Sequence, residues 1–425
     1  MRNFKFTRNP YLLFLPFLLF FVVFVLKFSN DALEGDEGGY IFFAKNILHG
    51  FYSPASPDIN LWWGPGYPLI LTPFISLGLP LMCLTLLNAV FQYLSIVLLF
   101  KAMQQFLSFR KSLIFSLCWA FCYIAYSYMT LMQTEVFTTF LIAILIYASI
   151  KGFNGQGNKY LYLAGFILGY IALTKVIFGY VLMFLLLASL LLWLKKRSAQ
   201  NYRKSALIMI IAFATTMPYL IYTYNLTGKL FYWGNSGGMS LYWMSTPYEN
   251  EYGSWDNETF TANHIDGDIA SNISTTLLKV NHQKDIDEVL KYKGVEKDDA
   301  YKKIAIANIK THPLKYIKNI VSNISNLLFG FPNTYSFQRP LLKIWYFSIL
   351  FSLTVLSFIL TIINWRKIPY SLQCLVVFAF LYLGGSSLVS GGNRQFIVIV
   401  PLLLLWIAYM INNAVTLKIK FDKNS

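Results

Sequence analysis

Charge is scarce in this chain. Only 13% of its 425 residues are Asp, Glu, Lys or Arg, while 56% are hydrophobic. Soluble domains carry about a quarter charged residues, so the deficit excludes an ordinary soluble globule. Cysteine is scarce as well. Cys83, Cys118, Cys122 and Cys374 all lie in apolar runs, with no histidine or acid placed to complete a metal set. They read as small buried hydrophobes rather than a disulfide framework or a thiolate centre. His49, His264, His282 and His312 are scattered, and no internal repeat or low-complexity tract is present.

What the chain has in quantity is apolar runs. A spanning helix needs about 20 apolar residues. Ten segments qualify as candidates: 10–30, 78–100, 112–129, 134–150, 160–175, 177–194, 205–224, 343–363, 370–389 and 396–414. The first is too long and aromatic for a signal-peptide core and lacks a small-residue cleavage site, so it is expected to be retained. The fold class is therefore an all-α polytopic membrane protein of about ten transmembrane helices. Its regions are an N-terminal transmembrane module (1–224), an extracytoplasmic loop region (225–342) and C-terminal transmembrane helices (343–425).

Basic residues test this map. Alternate inter-span segments hold 18 of the 35 Lys and Arg residues but one of the 19 acids, Asp422. The other set is close to neutral. Positive charge marks cytoplasmic loops, so both termini are expected in the cytoplasm. The net charge of +16 is then a topology signal and does not argue for nucleic acid. Two large segments fall outside, 31–77 and 225–342. Within the second, "IAIANIKTHPLKYIKNIVSNISNLL" places apolar residues at helical spacing with lysines between them. A helix lying on the membrane and an ordinary amphipathic helix packed on its own loop both fit.

The first external segment opens with four acids, Asp31, Glu34, Asp36 and Glu37. Read as a helix, "DEGGYIFFAKNILHG" aligns Tyr40, Phe43, Ala44, Ile47 and Leu48 in one stripe, with Gly50 at C′. Asp36 then stands at the N-cap and Glu37 in the first turn. A cap does not require the glycines around the pair, and glycines admit close backbone approach. In "INLWWGPGYPLILTPF", Pro65 and Gly66 form a turn and Pro68 can start a helix. Trp62, Trp63 and Tyr67 suit an interfacial belt and equally a sugar-stacking surface.

These two stretches resemble the first external loop of integral-membrane glycosyltransferases of the C-type fold. The nearest branch holds the protein O-mannosyltransferases, the lipid A aminoarabinose transferase and bacterial family 39 relatives. The resemblance continues in order through "MQTEVFTTFLIA", "LAGFILGYIALTKVIFGYVL", "YNLTGKLFYWGNSGGMSLYWMSTP", "AIANIKTHPLKYI" and "GGNRQFIVIVPLLLL". It implies a sugar taken from a polyprenyl phosphate carrier on the extracytoplasmic face, with Asp36 of the Asp-Glu motif as base. It also implies a glycine-rich turn after an aromatic strand in the fifth of these seven stretches. Departures exist. Trp63-Gly64-Pro65-Gly66 stands where the family often has Lys or His before a Pro-Pro pair, and "LTKV" lacks the family's proline. Fewer spans are read than in the larger members, and no soluble C-terminal domain.

The chemistry needs a base for the acceptor proton, positive charge for the departing phosphate, and an apolar groove for the lipid. Asp36 is the expected base. Glu37 faces elsewhere on a helix and can position the acceptor or hold a metal. Glu135 can bond the sugar or orient Asp36, or simply cap its span. Arg394 and Lys175, each at an external span end, suit the phosphate or snorkel to headgroups. Trp63 and Tyr67 complete the expected substrate-binding set. A divalent cation is admissible as cofactor, although the acids carry no metal-site spacing. Partners are then a polyprenyl phosphate sugar, a lipid, glycan or protein acceptor, and membrane lipids. The competing functions are a glycan polymerase or ligase with a diphosphate-linked donor and a lipid-linked glycan transporter. A transporter would place charge near the bilayer midplane.

Overall fold

The computed structural model describes residues 9–30, 32–260, 275–329 and 341–414. Among these, every regular element is a helix. The N-terminal part contains α1 (Pro10–Leu13), α2 (Leu15–Phe28), α3 (Glu37–Leu48), α4 (Gly66–Ser76), α5 (Leu81–Met103), α6 (Phe109–Ala120), α7 (Tyr123–Met129), α8 (Thr134–Phe153), α9 (Asn158–Thr174), α10 (Ile177–Lys195) and α11 (Gln200–Thr227). There follow α12 (Gly237–Met244), α13 (Thr275–Val289), α14 (Gly294–Thr311) and α15 (Pro313–Phe329), then α16 (Leu341–Asn364), α17 (Tyr370–Ser387), α18 (Asn393–Ile397) and α19 (Val400–Ala414).

Each of the ten candidate spans is helical, but they are not equal. Six helices are long and apolar enough to cross a membrane, and a seventh span arises if α6 and α7, bent by 50°, count as one. Helices α2 and α19 are apolar but shorter, and α9 has 17 residues, under the roughly 20 that a full crossing takes. The chain is a multi-pass membrane protein. The basic termini at 1–8 and 415–425, and also Asp31 and His264, lie outside the described residues.

The bundle is built on α5, α8, α9 and α11, packed in that order, with α10 against α9, α11 and α17. Close approach of α9 to α11 depends on Gly165 and Gly169. A Cβ at Gly169 would sit 2.4 Å from the Ala212 carbonyl oxygen. Such small-xxx-small spacing lets helix backbones meet in a membrane, where burying apolar surface brings no gain over lipid. Apolar side chains are correspondingly left outward: Phe184, Leu187 and Leu191 on α10 and Ile359, Ile362 and Ile363 on α16 are all exposed.

A smaller layer of α12 to α15 caps the bundle with its own core of Tyr242, Trp243, Phe260, Ile286 and Tyr301. Inside it Glu251 is buried and joined to His282 at 2.7 Å, while Asn281 donates to its second oxygen at 2.7 Å. Those bonds outweigh the burial that would raise it, and hold the Glu251 carboxyl below the usual range. The aromatic strand expected before residue 236 is not formed. Leu230–Gly234 is turn and coil, and the "GGMSLYWM" that follows is α12. His312 is the exposed hinge between α14 and α15.

Candidate active site

Helix α3 begins where its sequence predicts, with Asp36 at the N-cap and Gly50 in the left-handed region (φ +85°) just past the end. The Asp36 carboxylate nevertheless makes no capping bond. It accepts from the Arg394 guanidinium, Nη2 to Oδ2, at 2.8 Å. The capping explanation for this acid therefore fails locally, and a partner 358 residues away takes its place.

Glu37 does the holding. Only 3% exposed, it accepts the Met132 backbone N–H at 2.5 Å and the Glu34 N–H at 2.6 Å. It thus ties the start of α3 to the turn that leads into α8. Three residues past Met132 stands Glu135, in the first turn of α8, where a helix N-terminus favours negative charge. The N-cap of α8 is Gln133, so Glu135 does not cap its span. Its Oε1 accepts from Arg394 Nε at 2.9 Å and from Lys175 Nζ at 2.8 Å. Its Oε2 is buried without a hydrogen-bond partner.

The result is a chain of alternating charge, Asp36, Arg394, Glu135 and Lys175, assembled at one end of the bundle. Each contributing backbone is a helix terminus or break. Lys175 occupies the extended kink between α9 and α10. Arg394 sits on the one-and-a-half-turn α18, which is pinned by Tyr128 donating to the Asn393 side chain at 2.9 Å and by Tyr382 donating to the Gln395 carbonyl at 2.9 Å. Burial disfavours the Arg394 charge, but Glu135 and Asp36 more than offset it and push its pKa further up. Exposure differs between the two halves of the network. Asp36 and Arg394 side chains are 26% and 33% exposed, Lys175 is 12% and Glu135 1%. The end of the network that solvent reaches is thus the Asp36–Arg394 pair.

The aromatic residues expected in a belt or at a sugar instead pack against α3. Trp63 and Tyr67 flank the Tyr40 ring at centroid distances of 5.4 and 5.2 Å, and Tyr67 is fully buried. Trp63 lies where a side chain on Gly39 would be, 2.3 Å from the position of its Cβ. The close approach that the glycines of this loop allow is therefore made by Trp63. Gly66 similarly admits the Leu173–Thr174 backbone and the Thr174 side chain, with Thr174 Oγ1 2.4 Å from a Cβ position. This seats the first loop directly on the end of α9, beside Lys175.

Residues 63–222 match the model of the dolichyl-phosphate-mannose-protein mannosyltransferase family. The chain is a membrane glycosyltransferase. The family segment contains Glu135 and Lys175 and ends before Arg394. The transferase is also similar to solved structures. The ArnT of Cupriavidus metallidurans bound to undecaprenyl phosphate is 11% identical over 94% of this chain and 77% of its own, at a TM-score of 0.43. The Archaeoglobus fulgidus oligosaccharyltransferase tethered to an acceptor peptide is 13% identical over 94% of this chain and 49% of its own, at 0.49. The AglB of the same organism, in complex with an inhibitory peptide and a dolichol-phosphate, is 12% identical over 96% and 53%, at 0.48. The transferase spans about half the length of the two Archaeoglobus proteins. Likeness at this level carries nothing about substrate. No curated protein sequence matches the chain significantly.

Four of the five charged residues singled out in the sequence thus meet in the transferase as partners of each other, while Glu37 bonds to backbone instead. Among the described residues no group of three His, Cys, Asp or Glu side chains is placed to hold a metal ion. Both oxygens of Glu37 accept backbone N–H groups, so its carboxylate is engaged in holding the loop. Tyr40 escaped sequence reasoning. Its place in the apolar stripe marked it as core, and nothing in the local pattern shows that its buried hydroxyl lies in the field of Asp36, Arg394 and Glu135, a setting that raises its pKa through burial first and the carboxylates second.

Proposed function

We propose that the transferase moves a sugar from a polyprenyl phosphate carrier to a hydroxyl acceptor at the extracytoplasmic face, with Asp36 as general base. The observation that carries this is the Asp36–Arg394–Glu135–Lys175 chain at one end of the bundle, with Asp36 the more accessible of its two acids. The family's name, which specifies a dolichyl-phosphate-linked sugar, supports the donor class. The positive-inside count supports the side.

The geometry suggests a sequence of events. Arg394 spends its fork on Asp36 and Glu135, so a donor phosphate competes for it. Guanidinium–phosphate pairing is at least as good as guanidinium–carboxylate pairing. When phosphate oxygens take the Nη2 side, Asp36 is released with its charge and can accept a proton. The acceptor oxygen forms its bond to the anomeric carbon as its proton passes to Asp36. The bond from that carbon to the phosphate oxygen breaks, and its electron pair leaves with the phosphate. Arg394 stabilises the charge that develops there. Lys175 holds Glu135, and Glu135 holds Arg394 by Nε, so the guanidinium keeps its orientation throughout. The unpartnered Oε2 of Glu135 is left to receive a hydroxyl of the sugar or a water.

The test is donor profiling with purified protein in lipid, using radiolabelled polyprenyl phosphate sugars and their diphosphate-linked counterparts. Transfer from a monophosphate donor that Asp36→Asn abolishes is the expected result. Equal transfer by Asp36→Asn removes the base, and transfer from diphosphate donors alone replaces the reading with a polymerase or ligase.

A further inference from the structure

Helix α15 is built inside out for a helix surrounded by water. Its large aliphatic residues Leu314, Ile317, Val321 and Ile324 are 75%, 54%, 57% and 40% exposed. They recur at i, i+3, i+7 and i+10 and so form one stripe. The opposite face is polar and buried: Lys315, Asn319, Ser322 and Asn323 are each under 8% exposed. That face is fully used. Asn319 donates to the Met244 and Thr246 carbonyls at 3.0 and 3.1 Å, and Lys315 donates to the Asn319 side chain at 3.0 Å. Asn323 donates to the carbonyls of Ser386, Ser387 and Val389 at 3.1, 3.2 and 2.7 Å, and Asn326 to that of Gly391 at 2.9 Å. The polar face cannot be turned outward without breaking these bonds, so the apolar face must meet some other medium.

Three observations say which. The carbonyls that Asn323 and Asn326 satisfy are the last turn of the spanning helix α17 and the loop after it, so α15 is fixed at the level where that span ends. Helix α15 packs on α16, which is only 17% buried along its spanning window. The stripe therefore adjoins an apolar helix surface that the protein itself leaves largely uncovered. Lys310 and Lys318, both exposed, flank the stripe at headgroup positions. We infer that α15 lies in the bilayer surface, with Leu314, Ile317, Val321 and Ile324 in the acyl chains. The helix is then an anchor that fixes the height of the capping layer over the bundle. This assignment stands apart from the proposed reaction.

The test uses the wild-type chain in nanodiscs of phosphatidylethanolamine and phosphatidylglycerol, without donor. A lipid-soluble diazirine labels what acyl chains touch, and hydroxyl radicals oxidise what water touches, both read by mass spectrometry of 313–329. Carbene label on the four-residue stripe is expected several-fold above the Lys315–Asn323 face, with the stripe protected from oxidation. Oxidation of the stripe without carbene label overturns the assignment. So does exclusion of both reagents, which would mean a protein cover. Label that appears only when undecaprenyl phosphate is added would make the stripe a groove for that chain instead.

Discussion

Asp36, Glu37 and Arg394 divide the labour around the site, and their variants should separate. Asp36 contributes one bond to the fold and is the proposed base. Asp36→Asn is expected to lower turnover by roughly 10²–10⁴-fold, the range for losing a general base, with thermal unfolding little changed. Glu37 is the reverse. Glu37→Ala strips the partner from the buried Met132 N–H, at about 1–3 kcal/mol, and a second bond from the Glu34 N–H, and should lower the unfolding midpoint in detergent clearly more than Asp36→Asn does. A Glu37→Ala protein as stable as wild type would contradict the assignment. Arg394→Ala is expected to weaken donor affinity and lower turnover together, because it removes the phosphate contact and leaves Glu135 buried with one cation fewer. Arg394→Lys should recover little of this, since a lysine cannot bond both acids and still offer a fork. Sequence showed Asp36, Glu135, Lys175 and Arg394 as rare charges at span mouths. It did not show that they pair, because pairing between residues 36 and 394 depends on how α18 docks on α8, and no local pattern records that.

At the scale of elements, helices were legible and their lengths less so. Long apolar runs fix α5, α8, α10 and α11 plainly. The break at Phe121–Cys122, which splits one apolar run into α6 and α7, has no proline or glycine to announce it. The kink at Lys175 was visible as a charge in a hydrophobic run. Glycine positions carry the strongest element-scale expectation. Gly39→Val would drive a side chain into the Trp63 ring and should displace α3, so activity should fall although Asp36 itself is untouched. Crosslinking or tryptophan fluorescence at Trp63 would register the shift. Asn323→Leu removes three hydrogen bonds from carbonyls at the end of α17, whose last turn has no other helix to satisfy it. Roughly 1–3 kcal/mol should be lost, with faster hydrogen exchange over 386–391.

For the whole molecule, the bundle and the capping layer respond to different variables. The layer contains the Glu251–His282 pair. A carboxyl held below its ordinary value of 4.5 contributes stability at pH above that value, and the contribution is lost as pH falls through the lowered value. Acid should therefore loosen residues 237–260 and 275–311 before the bundle. Hydrogen exchange at stepped pH would follow it, and Glu251→Gln should flatten that dependence. The charge asymmetry along the chain carries an expectation about topology, while the layer's internal bonds lay beyond reach because polar residues in a loop look alike whether buried or wet. One arithmetic fact about the site remains. Two anions and two cations within hydrogen-bond range sum to zero, so from a Debye length away, about 8 Å in physiological salt, the cluster projects little field. An anionic head group arriving in the membrane plane is not steered from a distance. On the proposed reaction it is captured only when it reaches Arg394. Rates of capture should accordingly be almost insensitive to ionic strength, and two-dimensional diffusion of the lipid, with its abundance in the leaflet, should set how often the site is filled.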